Sequence, residues 1–149
     1  MITVKKADLS HLDVLCEFQQ AMALESEGMA LDNATLRAGI NALLTDRNKG
    51  QYYIAEQEGR VVGCLMITLE WSDWRNGWVW WIQSVFVAKD MRRKGVYTAM
   101  YEHIKKLCIE QGVKGIRLYA DRNNTPAHKT YEKAGMSSEH YITFEQMLF

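Results

Sequence analysis

Proline is almost missing from this chain: Pro126 is the only one among 149 residues, so no proline-rich linker marks a domain boundary. Cysteine is scarce too. Cys16, Cys64 and Cys108 are odd in number, widely spaced and set in apolar contexts, which argues against a disulfide framework and for buried free thiols in a reducing compartment. Neither sign of charge is in excess, with 18 Lys plus Arg against 18 Asp plus Glu. No global field therefore draws the protein to nucleic acid or to a membrane, and any cationic site must be local. No apolar run approaches the roughly 20 residues of a membrane span, and the start, MITVKKADLS, has no apolar signal core. These absences predict one cytoplasmic domain over residues 1–149, with no nucleic acid and no membrane as partner. Two common nucleotide signatures are also lacking, GxxxxGK[ST] and a GxGxxG after a strand, which removes the P-loop and the dinucleotide fold.

What is present is a sequence of alternating periods. A domain of this length can bury roughly two-thirds of its unfolded surface, and the pattern shows which residues do so. Ile2 to Lys6 alternates as a short strand. Ser10 suits the N-cap of a helix that carries Leu12, Leu15, Phe18 and Met22 on one side. LESEGMALDN, acidic and containing Gly28, reads as a loop, and a second helix is predicted from about Ala34 to Leu44. Tyr52 to Gln57 and Val61 to Glu70 are strands joined by the hairpin turn EGR, and WSDWRNG forms the next turn. WVWWIQSVFV is apolar on both faces apart from Gln83 and Ser84, which predicts an interior strand. Val96, Met100, Ile104, Leu107 and Cys108 then make a helical stripe that stops at Gly112. Ile116, Leu118 and Ala120 alternate as a strand. Thr125 and Pro126 suit an N-cap and first helical position, with Gly135 as the stop, and a last strand is predicted around Tyr141 to Phe149. The order β-α-α-β-β-β-α-β-α-β argues for an α/β (α+β) fold, a mixed sheet with helices on both faces.

The junction VFVAKDMRRKGVYTAM concentrates the chemistry. A strand that runs through Arg92, Arg93, Lys94 and Gly95 into a helix brings cations and a permissive glycine to unpartnered first-turn N–H groups, which is the outline of a polyphosphate cradle. A solvated surface turn is the plain alternative.

Arg92-Arg93-Lys94-Gly95-Val96-Tyr97 resembles the acyl-CoA motif Q/R-x-x-G-x-G/A of the GCN5-related N-acetyltransferases (GNAT). Some thirty residues further on, Asn124 to Met136 is similar to that family's N-x-x-A-x-x-x-Y-x-x-x-G-F segment. The resemblance takes in nearly the whole chain and implies a GNAT-like central sheet of six to seven strands and acetyl-CoA as co-substrate, with no metal. It implies that backbone groups of Val85, Phe86 and Val87 bind the pantetheine arm as an added strand would. The N–H groups of Arg93, Lys94, Gly95, Val96, Tyr97 and Thr98 would hold the pyrophosphate, with Arg92 and Lys94 as cationic support. Asn124 would hydrogen-bond the pantetheine near Ala127, and Tyr131 would protonate the CoA thiolate as it leaves. Tyr97 departs from the pattern, which has Gly or Ala there, so its ring must turn from the phosphates or lie over the cofactor.

For the acceptor the resemblance implies a primary amine, on a small molecule or alternatively on a protein N-terminus or lysine; an acyl-CoA-binding sensory module without turnover is a further alternative. The central strand lacks the glutamate that some members use as a base, which leaves Glu70, Asp73, Glu25 or Glu27, with Glu70 and Glu27 ranked first, or an ordered water chain. Trp71 and Trp74 bracket Asp73 in a turn suited to a cationic amine, and Gln83 is a further polar contact. The late strand and the tryptophans are compatible with a homodimer.

Overall fold

A computed structural model describes residues 1–148. It falls into two compact units, residues 1–119 and residues 120–148. The first contains β1 (Thr3–Lys6), α1 (Leu12–Glu27), α2 (Asn33–Thr45), β2 (Gln51–Gln57), β3 (Arg60–Ser72), β4 (Gly77–Val87), α3 (Val96–Gln111) and β5 (Gly115–Leu118). The second contains α4 (Thr125–Lys133).

The five strands form one mixed sheet in chain order, antiparallel from β1 to β4 and parallel between β4 and β5. Alternation along β2 divides the core. Tyr52 and Ile54 point to one face, where they pack with Leu15, Cys16, Ile40, Cys64 and Phe86 beneath α1 and α2. Tyr53 points to the other, its ring 5.8 Å from that of His103 on α3. The approach of α3 is close: a Cβ built on Gly63 of β3 would lie 2.9 Å from Val96 Cγ1 and 3.3 Å from Met100 Cε. Helices thus cover both faces, as the alternating periods predict. All three cysteines are buried and free, and burial pushes the thiols of Cys64 and Cys108 up to about 12 and about 11, values that leave no thiolate near neutrality.

Several boundaries differ from the sequence expectation. Asp8, not Ser10, opens the first helical segment: its carboxylate accepts from the Ser10 N–H at 2.9 Å while His11 Nδ1 accepts from the Asp8 N–H at 3.0 Å. The acidic residues Glu25 and Glu27 belong to α1, which carries them on its solvent side until Gly28, at φ 62°, ends the helix. Asn124 caps α4 in place of Thr125, its Oδ1 accepting from the Ala127 N–H at 3.3 Å. The largest correction concerns the last strand. Among the described residues the sheet has five strands rather than six or seven, and 141–148 make no ladder, with Tyr141, Phe144, Met147 and Leu148 exposed; Phe149 lies outside the described residues. Aromatic and branched residues here suit a strand, but their order is not a clean alternation, and a strand also requires a partner edge.

Candidate functional site

The site begins where β4 changes its company. From Val79 to Ile82, β4 is paired on both sides, with β3 and with β5, and the last parallel pair is Ile82 with Leu118. Beyond it, among the described residues, only the β3 side is paired. Cys64 faces Phe86 and Met66 faces Gln83, so Ser84 and Val85 together oppose Leu65. This is a β-bulge, and Ser84 takes the left-handed conformation at φ 53°, which costs a non-glycine residue on the order of 1–3 kcal/mol. Ala88 donates its N–H to the Val62 carbonyl at 2.9 Å. Strand alternation then turns the N–H of Phe86 toward β3 and the main-chain groups of Val85 and Val87 toward the open side. An extended ligand could add to that edge.

The open edge leads into the cationic turn. Arg93 at φ 63° and Gly95 at φ 84° are both left-handed, so the chain winds tightly enough to aim successive N–H groups outward, and at Gly95 only glycine takes this backbone without strain. Among the described residues no side chain caps the start of α3, and its first turn holds no acidic residue, whereas α2 is capped by Asp32. An anion is favoured at such an end by both the orphan N–H groups and the helix dipole. Tyr97 turns its ring along the helix onto Tyr101, with centroids 6.1 Å apart and planes 24° from parallel. That packing is how a tyrosine is accommodated where a small residue is expected.

Arg92 is differently placed from its neighbours. Its Nε donates to the Val87 carbonyl at 3.0 Å and its Nη2 to Glu25 Oε2 at 2.7 Å, with the guanidinium over the Phe86 ring. One donor thus ties the turn to the end of β4 and another to α1, and Arg93 and Lys94 are the cations better disposed toward a ligand.

On the α1 and α2 face of the sheet, register places a polar row beside the bulge. Gln83 Nε2 donates to Thr68 Oγ1 at 2.6 Å. Trp81 Nε1 donates to Glu70 Oε1 at 2.7 Å, and Arg117 Nη1 to Glu70 Oε2 at 2.6 Å. The Trp81 hydrogen bond and the Arg117 cation hold the Glu70 carboxyl below its ordinary range. A base for an alkylammonium works best with a raised pKa, so Glu70 is better built to orient Arg117 and Trp81 than to take a proton. Glu25 is paired with Arg92, and Glu27 is exposed at the end of α1. Around the turn before β4, Asp73 accepts from the Trp74 N–H at 2.9 Å. Trp74 is 88% exposed, and Trp71 meets Trp78 edge to face.

In the second unit, Asn124, Ala127 and Tyr131 share one side of α4 at i, i+3 and i+7. Burial raises the Tyr131 phenol above its ordinary value. Sequence periodicity does not single out Gln19, which is 5% exposed on α1 and donates to the Ser84 carbonyl at 3.3 Å. The signal was there: a glutamine one turn beyond Leu15 on an apolar stripe, and two polar residues, Gln83 and Ser84, interrupting an apolar strand.

Comparison with known proteins bears on the fold and the family. The chain superimposes on a structure described as a possible acetyltransferase from Clostridium difficile 630 with TM-score 0.91 and 39% identity, over 100% of this chain and 99% of that one. A predicted acetyltransferase with acetyl-CoA from Clostridium acetobutylicum shares the fold at TM-score 0.75 and 20% identity, over 97% and 96% of the two chains. Streptothricin acetyltransferase of Escherichia coli is 31% identical over 85 residues, 57% of this chain and 46% of that enzyme, so the match spans less than half of its length. The acetyltransferase (GNAT) family model matches residues 14–136, and with that coverage the chain belongs to the GNAT acetyltransferase family.

Proposed function

We propose that the protein is an N-acetyltransferase that moves an acetyl group from acetyl-CoA to the primary amine of a small molecule. The observation that carries the reading is the edge of β4 that opens after Ile82 and runs directly into the left-handed turn and uncapped start of α3. Val85 and Val87 would pair with the amide-bearing pantetheine arm, and the N–H groups from Arg93 to Thr98, with Arg93 and Lys94, would take the pyrophosphate. Acetyl-CoA supplies the activated acyl thioester.

An amine of pKa about 10.4 must first lose a proton, which costs roughly 4–5 kcal/mol at pH 7. The neutral nitrogen then attacks the thioester carbonyl, a C–N bond forms, the C–S bond breaks, and the sulfur leaves as thiolate. Tyr131 is the proposed acid that protonates it, and the second proton, which the nitrogen sheds on becoming an amide, restores the phenol; Asn124 and Ala127 belong to the same helix face. Burial keeps the phenol protonated at neutral pH, as an acid requires. Glu27 is the less encumbered of the two leading carboxylates for the amine proton, because both oxygens of Glu70 are engaged. Trp71, Asp73, Trp74 and Gln83 are the proposed acceptor contacts. A peptide amine is the second acceptor class, and a sensory module without turnover is the alternative outcome.

The test is thiol release from acetyl-CoA against a panel of small amines and peptides. Release stimulated by a small amine well above hydrolysis is expected. Stimulation by peptides alone would move the acceptor to protein, and binding without release for any amine would favour the sensory role.

A further inference from the structure

Gln19 and Ser72 are the buried polar side chains among the described residues. A buried amide is retained at a cost unless it is hydrogen-bonded, and the position of Gln19, one turn from both Leu15 and Ala23, would otherwise suit a leucine or methionine. Its Nε2 donates to the Ser84 carbonyl at 3.3 Å and lies 3.7 Å from Cys64 Sγ. The Cys64 thiol reaches the same carbonyl at 3.6 Å. Ser84 is the left-handed residue of the bulge, just beyond the last pair between β4 and β5. In a regular ladder the neighbouring strand satisfies such a carbonyl. Here α1 does so.

The consequence lies at Val85 and Val87. One extra residue in β4 resets which way the following main-chain groups face and adds local twist. If Ser84 relaxed to an extended conformation, the register would slip and the groups aimed at the open edge would turn. We propose that Gln19 is a positioning residue for acyl-CoA binding, holding the Ser84 carbonyl so that the Val85 and Val87 main-chain groups face the open edge. This rests on the reading of that edge as the acyl-CoA site.

The test measures the Kd of acetyl-CoA by calorimetry, below the unfolding range, for the full chain and four variants. Gln19→Met keeps length and packing but removes the donor; a rise in Kd of about tenfold is expected, the factor that one net hydrogen bond represents. In steady state the KM for acetyl-CoA should rise while kcat changes less. Leu15→Val, a packing change on the same helix, should lower the melting temperature and leave Kd within twofold. Glycine holds positive φ without strain, so Ser84→Gly combined with Gln19→Met should show a smaller penalty than Gln19→Met alone. Gln19→Asn, too short to reach the carbonyl, carries the same expectation as Gln19→Met should the latter fail to fold. A Kd within twofold of wild type for the Gln19 variants, or an equal loss in Leu15→Val, overturns the positioning role while the acyl-CoA reading stands. No binding by wild type overturns both.

Discussion

The two halves of β4 share a strand but not a task. Val79 to Ile82 is paired on both sides and places Val79, Trp80 and Ile82 in the core; Gln83 to Val87 is paired on one side, carries a bulge and ends in a cationic turn. Side chains matter most in the first half, because packing fixes them. In the second the main chain matters most, because an open edge offers N–H and C=O groups whatever residue bears them. A fold-making segment and a ligand-binding segment can thus be consecutive in sequence and separated by a single irregular residue, Ser84.

The contrast can be broken by mutation. Ile82→Ala should have the largest effect, lowering stability by about 2–5 kcal/mol in denaturant unfolding while the Kd of acetyl-CoA for the folded fraction is unchanged; a lost affinity at full folding would mean that the halves are not separable. Tyr131→Phe belongs to neither half, and should lower kcat at least tenfold, the smaller end of general-acid effects of about 10²–10⁴, with acetyl-CoA binding retained. Unchanged kcat would remove its acid role. Because burial raises the Tyr131 pKa above its ordinary 10.0, the acid form persists as pH rises through neutrality. The alkaline loss of kcat should therefore lie above about pH 10, and a loss centred near pH 8 would assign the proton to another group.

Gly95→Ala should weaken acetyl-CoA binding by several-fold, since φ 84° strains an alanine at a cost of about 1–2 kcal/mol. No neighbouring atom lies within 4 Å of the added Cβ, so conformation rather than a clash is what the substitution probes. Val85→Ala should have the smallest effect, a Kd within about threefold of wild type, the expectation for recognition through the main chain. A larger loss would mean that its side chain takes part.

Much of this contrast was legible before the structure. The shift from an all-apolar strand to RRKG and then to a helical stripe marks the turn and the start of α3, because period and glycine placement report backbone conformation directly. The polar pair Gln83 and Ser84 interrupts the apolar run, yet the run reads as one interior strand as far as Val87, so neither the loss of β5 pairing after Ile82 nor the left-handed turn at Ser84 is legible there. Three features were hidden for physical reasons. Gln19 meets Ser84 across 65 positions of sequence, a contact that tertiary packing creates and periodicity does not register. Arg92 looked like its neighbours, and only its position against Glu25 and Val87 distinguishes a structural cation from a ligand-facing one. The residues from Tyr141 to Leu148 are rich in strand formers, yet make no ladder among the described residues.

Amide hydrogen exchange along β4 tests the central claim most directly, because it reads each half separately. On saturation with acetyl-CoA, the amides of Val85 and Val87 should exchange markedly more slowly, while those of Val79 to Ile82, already within a doubly paired strand, should change little. Unaltered exchange at Val85 and Val87 in the saturated protein would contradict the assignment of the open half of β4 as the acyl-CoA edge.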